Sequence, residues 1–295
     1  MCSSDLASLE VSELKLRMLA VGGTALAIAE EQVDRVACLR LLERGKEAAA
    51  AVRMGQAAFA KVSPDWEDLV YAEVACDVAY HTRDGVAAEK ACSRFLELAR
   101  RDGTAFKVAS ATSRLADAAE LNGDTVTWER RSIESAERFQ AAGIGELAGS
   151  TWIQVALDRL SRGEHSAAAA AAQRALEFEM DDSSAMRAGL VEAQALAAQG
   201  RWPQSRKRFE ELIADAGHDP VLWEQILGAA WGSPEVEVKR LVINRFDAVR
   251  GRVRFPPRLA VAARARCISL EAHATGRFVE ALEQIRAVRS DIYAV

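Results

Sequence analysis

Glycines that close one helix-length stretch and precede the next fall at Gly45, Gly85, Gly123, Gly163, Gly200, Gly232 and Gly276, at intervals of 40, 38, 40, 37, 32 and 44 residues. This period constrains the fold more than any other feature. Each interval accommodates two helices of about four turns, at roughly 3.6 residues per turn, together with two short turns. The repeating unit is therefore a helix, a tight glycine turn and a second helix. Stacked units of this kind bury a continuous core, and their ends need polar caps.

Composition agrees with helices throughout. Half of the residues are apolar and only 6% are aromatic. Ala and Leu dominate the apolar share, and both are strong helix formers, whereas strands favour β-branched and aromatic residues. Six prolines and eighteen glycines leave uninterrupted stretches of helix length. Residues 4–21, with Ser4 or Asp5 as N-cap and Leu6, Leu9, Leu14 and Leu16 as apolar positions, read as an extra capping helix ended by Gly22 and Gly23.

Small side chains stand where the two helices of a hairpin approach most closely. Around Gly200 the order is Ala193, Leu196, Gly200, Trp202, Ser205, Phe209; around Gly163 it is Trp152, Ala156, Gly163, Ala168, Ala175; around Gly276 it is Ala272, Gly276, Phe278, Ala281, Ile285. At the second unit the pattern fits only if Arg83 takes the place of the glycine, which puts Ala72, Cys76, Ala88, Cys92 and Phe95 in register. The pattern resembles the tetratricopeptide repeat, with a longer period and without most of the closing prolines, Pro64 and Pro220 excepted. The resemblance implies an all-α fold: a right-handed α-solenoid of about seven antiparallel helix pairs, continuous as one domain over residues 25–295, behind a cap within residues 1–24. Such long, degenerate repeats also look like the helical sensor arrays of bacterial signal-responsive transcription regulators, although no DNA-reading helix-turn-helix is legible after the last unit.

Several function classes are disfavoured. The five cysteines, Cys2, Cys38, Cys76, Cys92 and Cys267, are odd in number and scattered, without a C-x-x-C pair, which argues against a disulfide framework and a zinc site and suits a reducing compartment. Cys76 and Cys92 read as compact apolar groups in small-residue slots. The apolar stretch Met18 to Ala29 is too short to span a membrane and is broken by Gly22 and Gly23. Asp5, Glu10 and Glu13 precede the first Lys15, unlike the basic start of a signal peptide, so the cytoplasm is the expected location. Phosphate-loop, dinucleotide, nucleophile-elbow and zinc-protease motifs are absent, so neither a cofactor nor catalysis is expected. His165 falls at a turn position usually held by an aromatic, and His218 lies in a turn beside Asp219 and Pro220; both read as structural.

Two surfaces stand out. In tetratricopeptide-like arrays the first helix of each pair lines the concave face, with ligand-facing residues at fixed distances before the turn. That register implies Glu73, Asp77, Tyr80 and His81 from the second unit, and Ser110, Ser113, Asp117 and Glu120 from the third, as an acidic, hydroxyl-rich stretch of groove. The fourth and fifth units add Ile153, Leu157, Leu160, Leu190 and Gln194. Carboxylates there could attract a hard cation, but they come from separate helices without a loop motif, and no metal site is expected. The second surface is basic: Lys239, Arg240, Arg245, Arg250, Arg252, Arg254, Arg258, Arg264 and Arg266 face only Asp247 in residues 239–266, a local charge of +8 in a chain of net charge −5. Gly251 to Arg258 reads as a longer loop closed by Pro256 and Pro257, with Phe246 and Phe255 buried.

The leading expectation is an adaptor or sensor that binds a protein or peptide with a basic segment in the concave groove. A carboxylate clamp of the tetratricopeptide kind does not fit, because the acidic units carry the wrong charge. The alternative is a regulatory subunit or sensor domain of a transcription or defence system whose basic C-terminal segment meets nucleic acid or an acidic effector. A third reading, an enzyme on a helical scaffold, would use Asp77, Asp117 or Glu120 as acid-base groups.

Overall fold

The computed structural model describes residues 11–20, 23–24, 27–28, 31–32, 34–35, 38–39, 45–59, 69–81, 83–249, 251–255 and 257–293. Residues 11–20 are helical, with Leu14 exposed; Leu6 and Leu9 lie outside the described residues. The helices that follow are α1 (Gly45–Phe59), α2 (Leu69–His81), α3 (Gly85–Asp102), α4 (Ala105–Leu121), α5 (Thr125–Ala141), α6 (Gly145–Ser161) and α7 (His165–Ala175). They continue as α8 (Asp182–Ala198), α9 (Trp202–Ala216), α10 (Pro220–Gly232), α11 (Val236–Val249), α12 (Pro257–Thr275) and α13 (Phe278–Tyr293). Every described element is a helix, and α2 through α13 form six hairpins. The chain divides into two compact units, Met1–Ile144 and Gly145–Val295.

The hairpin turns share one construction. Gly123, Gly163, Gly200 and Gly276 all adopt φ between 72° and 77°, a left-handed conformation that costs glycine nothing. Arg83 takes the same conformation at φ 64°, so the arginine does stand in for glycine. In three of the turns the amide of the residue after the glycine closes back on the helix at 2.9 Å: Asp124 donates to the carbonyl of Ala119, Glu164 to that of Arg159, and Arg201 to that of Leu196. Asp84 and Asp124 then cap the next helix through the amides of Ala87 and Thr127. Gly45 and Gly85 behave differently, as the first residues of α1 and α3. A Cβ on Gly85 would collide with the side chain of Asn122, so close packing rather than turn geometry selects glycine there.

Within the first unit, α2 packs on α3, α3 on α4 and α4 on α5, and the two first helices α2 and α4 also touch. Its core joins Ala72, Cys76, Cys92, Phe95, Leu98 and Leu115. Here the cysteine reading needs correction. Cys76 of α2 and Cys92 of α3 form a disulfide, with Cα atoms 4.6 Å apart. The small-residue slots bring the two helices within bridging distance, and two thiols placed there meet. The cysteine pattern therefore no longer argues for a reducing compartment. Cys38 and Cys267 are not disulfide-bonded, and Cys2 lies outside the described residues.

In the second unit α6 pairs with α7, α8 with α9, and α12 with α13, while the first helices α6, α8, α10 and α12 touch in succession. Its largest core gathers Phe209, Leu212, Trp223, Ile226, Leu227, Val242 and Phe246. The indole of Trp223 donates to the Gly217 carbonyl at 3.0 Å, which lets its polar edge be buried. Phe246 packs between Trp223 and Phe255, at centroid distances of 5.3 and 5.9 Å, so neither phenylalanine faces outward as a stacking platform. Among the described residues no helix is long and apolar enough to cross a membrane.

Candidate functional site

The sequence register places Glu73, Asp77 and Tyr80 on α2 and Ser110, Ser113, Asp117 and Glu120 on α4. In the structure these two helices lie side by side, and the carboxylates among them share one face. Asp77 and Asp117 are half-buried and Glu120 is exposed. Ser110 and Ser113 are partly buried on the same helix. The side chain of His81 lies outside the described residues.

Two cations that the register passed over complete this face. Lys107 Nζ donates to both carboxylate oxygens of Glu73, at 2.7 and 2.5 Å. Arg114 Nε meets Asp77 at 2.8 Å, and its Nη1 lies 3.6 Å from Asp117 on the next turn of its own helix. The same guanidinium sits 5.8 Å from the Tyr80 ring centroid. Lys107 and Arg114 follow Glu73 and Asp77 by 34 and 37 residues, about one repeat. Opposite charges one repeat apart were the signal available in the sequence.

Four carboxylates against two cations leave this stretch acidic. Burial pushes the Asp77 carboxyl above its ordinary value, partly offset by Arg114; Glu73 and Asp34 push it further up. Burial likewise raises Asp117, against Arg114, with Glu120 and Asp77 adding to the rise. Burial and Glu31 raise Asp34 too. Asp77 thus feels Glu73 and Asp34, and Asp117 feels Glu120 and Asp77, on a face where Arg114 is the largest compensating charge. Among the described residues no cluster of metal-ligating side chains forms.

In the second unit, Leu157 is partly buried against the cluster of Ile153, Ala175 and Ala188. Ile153 and Leu190 are themselves buried, so they belong to the core and not to a ligand-facing surface. Gln194 is committed to a structural contact, donating from Nε2 to the Ala229 carbonyl at 3.1 Å.

Among the described residues the cations of the basic segment do not all share one surface. Lys239 is 6% exposed, on the α11 face that also buries Val238, Val242 and Phe246. Burial lowers its ammonium below the ordinary lysine value. Arg240 pairs with Glu237 at 2.9 Å and reaches the Ala274 carbonyl. Arg266 is bound by Glu224 and by its backbone carbonyl. Arg245, Arg252 and Arg254 are exposed. Arg250 and the side chain of Arg258 lie outside the described residues.

No protein-family model matches the chain, and no curated protein matches it by sequence. Solved structures match its fold. RapI in its apo form is 14% identical, with 90% of this chain and 99% of that chain covered at a TM-score of 0.55. BtubC (BKLC) from P. vanneervenii is 14% identical over 71% of this chain and 87% of that chain, at a TM-score of 0.51. A Rap protein complexed with Competence and Sporulation Factor is 12% identical over 97% and 86%, at a TM-score of 0.48. At these identities the likeness is one of fold: the chain has an all-α, tetratricopeptide-like helical-repeat fold.

Proposed function

We propose that the chain is an adaptor or sensor that binds a protein or peptide, and that the α2–α4 face receives a basic segment of that partner. The observation that carries this reading is the Asp77–Arg114–Asp117 bridge. One guanidinium holds two half-buried carboxylates whose ionised forms the surroundings disfavour. An incoming arginine or lysine would add the missing positive charge and displace solvent from the same carboxylates. Charge complementarity of this kind sets orientation and association rate, while neighbouring apolar side chains such as the 39% exposed Phe106 supply anchoring area.

The face has the composition of a binding surface rather than of a reaction centre. Among the described residues, Glu73, Asp77 and Asp117 pair with Lys107 and Arg114, as the carboxylates of a charged docking face do. The test is a selection of random peptides on the purified protein. The reading expects enriched sequences with two or more Lys or Arg residues, and a loss of enrichment when Asp77 and Asp117 are both changed to Asn. Enrichment of acidic or uncharged peptides would refute it.

A further inference from the structure

Two neighbouring hairpin ends meet in the second unit. Trp231 closes α10 and Lys239 lies in the first turn of α11, while His273 lies in the last turn of α12 and Phe278 opens α13. Both α10 and α11 pack on α12, which brings the two ends together. His273 is the hub of the group. Its ring makes T-shaped contacts with Trp231 at a centroid distance of 4.5 Å and with Phe278 at 5.3 Å. The imidazole is exposed, and so are Trp231 at 44% and Phe278 at 55%. Leu282, one turn beyond Phe278 on the same face of α13, is exposed too, so the apolar edge continues along that helix.

Lys239 adds a charge to this aromatic edge. Its stem is buried, yet its ammonium lies near enough to the imidazole to hold His273 below the ordinary histidine value, after burial, which is the larger cause. Among the described residues no acid pairs with Lys239, and burial alone accounts for its own lowered value. The nearby carboxylates are directed elsewhere. Glu237 pairs with Arg240 at 2.9 Å, and Glu280 lies 3.9 Å from Arg277. Glu235, one turn before Lys239, has Glu237 and Arg206 as its charged neighbours.

A cation at the C-terminal end of a helix ordinarily finds the last carbonyls. On α12 these are taken by others. Ala272 accepts from the Gly276 amide at 2.7 Å, Ala274 from Arg240 at 3.4 Å, and Glu271 from the Thr275 hydroxyl at 2.8 Å. Trp231 and His273 likewise make no side-chain hydrogen bond to a described residue. An ammonium, an imidazole and an indole therefore share one locality without an acceptor of their own. The desolvation of Lys239 is a cost that the fold by itself does not recover.

We propose that this cluster docks an acidic segment of a partner protein, in which a Glu or Asp carboxylate meets Lys239 and His273 while an adjacent bulky apolar residue rests on Trp231 and Phe278. The carboxylate supplies the missing acceptor, and a charge-assisted hydrogen bond to an ammonium is among the strong ones. Aromatic anchors beside a partly desolvated charge have the composition of a binding hot spot. Nucleic acid fits less well, because its affinity comes from many phosphate contacts and this cluster offers one lysine among several glutamates. The cluster lies in the second unit and the α2–α4 face in the first, so either can fail alone. Running the peptide selection on Lys239→Met as well keeps them apart: acidic sequences enriched only by the wild type belong to this cluster and do not bear on the α2–α4 face.

The direct test is nuclear magnetic resonance of the histidine ring protons at neutral pH, with the His273 signals identified by their loss in His273→Gln. The probes are three capped dipeptides, acetyl-Phe-Glu-amide, acetyl-Phe-Gln-amide and acetyl-Phe-Lys-amide. The proposal expects the glutamate probe to shift the His273 signals saturably, the glutamine probe to bind about tenfold more weakly, as for loss of a charged hydrogen bond, and the lysine probe not to bind. Lys239→Met keeps the apolar stem and drops the ammonium. It should abolish the preference for Glu over Gln and raise the titration midpoint of His273. Trp231→Ala should weaken the glutamate probe severalfold. The proposal is overturned if the glutamate probe leaves His273 unmoved, if glutamate and glutamine probes bind equally, or if Lys239→Met retains the preference or the His273 midpoint of the wild type. If circular dichroism shows Lys239→Met to have lost helix, Lys239→Gln decides by the same criteria.

Discussion

Replacing Arg114 with Ala removes the one guanidinium that bridges Asp77 and Asp117, and the consequence should depend on pH. The side chains are 37%, 22% and 31% exposed, so the bridge is neither a surface pair nor a fully buried one. Exposed pairs contribute about 0–1 kcal/mol, and breaking a buried pair costs about 3–5 kcal/mol. An intermediate cost of about 2 kcal/mol at pH 7 follows, which corresponds to a melting-temperature loss of roughly 4–8 °C in a protein of this size. Both carboxyls already titrate above their ordinary values because of burial. A raised carboxyl binds its proton more tightly in the folded than in the unfolded state, so its stabilising contribution is present at low pH and is lost as pH rises through the folded value. Without Arg114 the two values rise further, and the loss at neutral pH deepens. The penalty should therefore shrink as the pH is lowered toward 4.5. Urea unfolding followed by far-ultraviolet circular dichroism, on wild type and variant at pH 7.5 and 4.5, measures this directly. An equal penalty at both pH values would show that Arg114 contributes packing and not charge compensation, and would refute the electrostatic account of the face.

Two further outcomes follow from the fold. Arg83→Gly should raise stability by about 1 kcal/mol, because the left-handed conformation at φ 64° costs an L-residue about 1–2 kcal/mol that glycine avoids; thermal unfolding checks it, and a loss of stability would mean that the arginine side chain outweighs its backbone. Dithiothreitol should leave the Cys76–Cys92 bond intact in the folded protein, since both residues are 0% exposed, yet lower the melting temperature by several degrees once unfolding admits it. Closure of a loop near 15 residues stabilises by about 3 kcal/mol. Thiol counting before and after heating separates the two stages, and rapid reduction of the native protein would contradict the buried placement.

What could be read from the sequence was what local rules control. The left-handed turns at Gly123, Gly163, Gly200 and Gly276, the stand-in at Arg83 and the small residues at the hairpin crossings follow from backbone sterics and close packing. Gly85 was ambiguous because glycine also serves close approach, here against Asn122. Gly232 ends α10 without a left-handed conformation, and Gly143 and Gly217 turn the chain between hairpins rather than within them. The candidate site was half legible. Its carboxylates followed from the repeat register, but Lys107 and Arg114 reach the face through long side chains one repeat away. Lys239 looked like part of a basic surface because its neighbours are charged, whereas the period of α11 turns it inward with Val238 and Val242. The disulfide was invisible for a related reason: small-residue slots suggest packing, and only the helix crossing itself puts the two sulfurs together.

The most direct test of the central claim is the affinity of a selected basic peptide for wild type and for the Asp77→Asn, Asp117→Asn variant, at low and at physiological salt. The account predicts that the variant keeps its fold, binds the peptide at least about tenfold more weakly at low salt, and differs less at physiological salt, because screening already weakens the wild-type attraction there. Equal affinity of the two proteins at low salt would contradict it and place the peptide elsewhere on the chain.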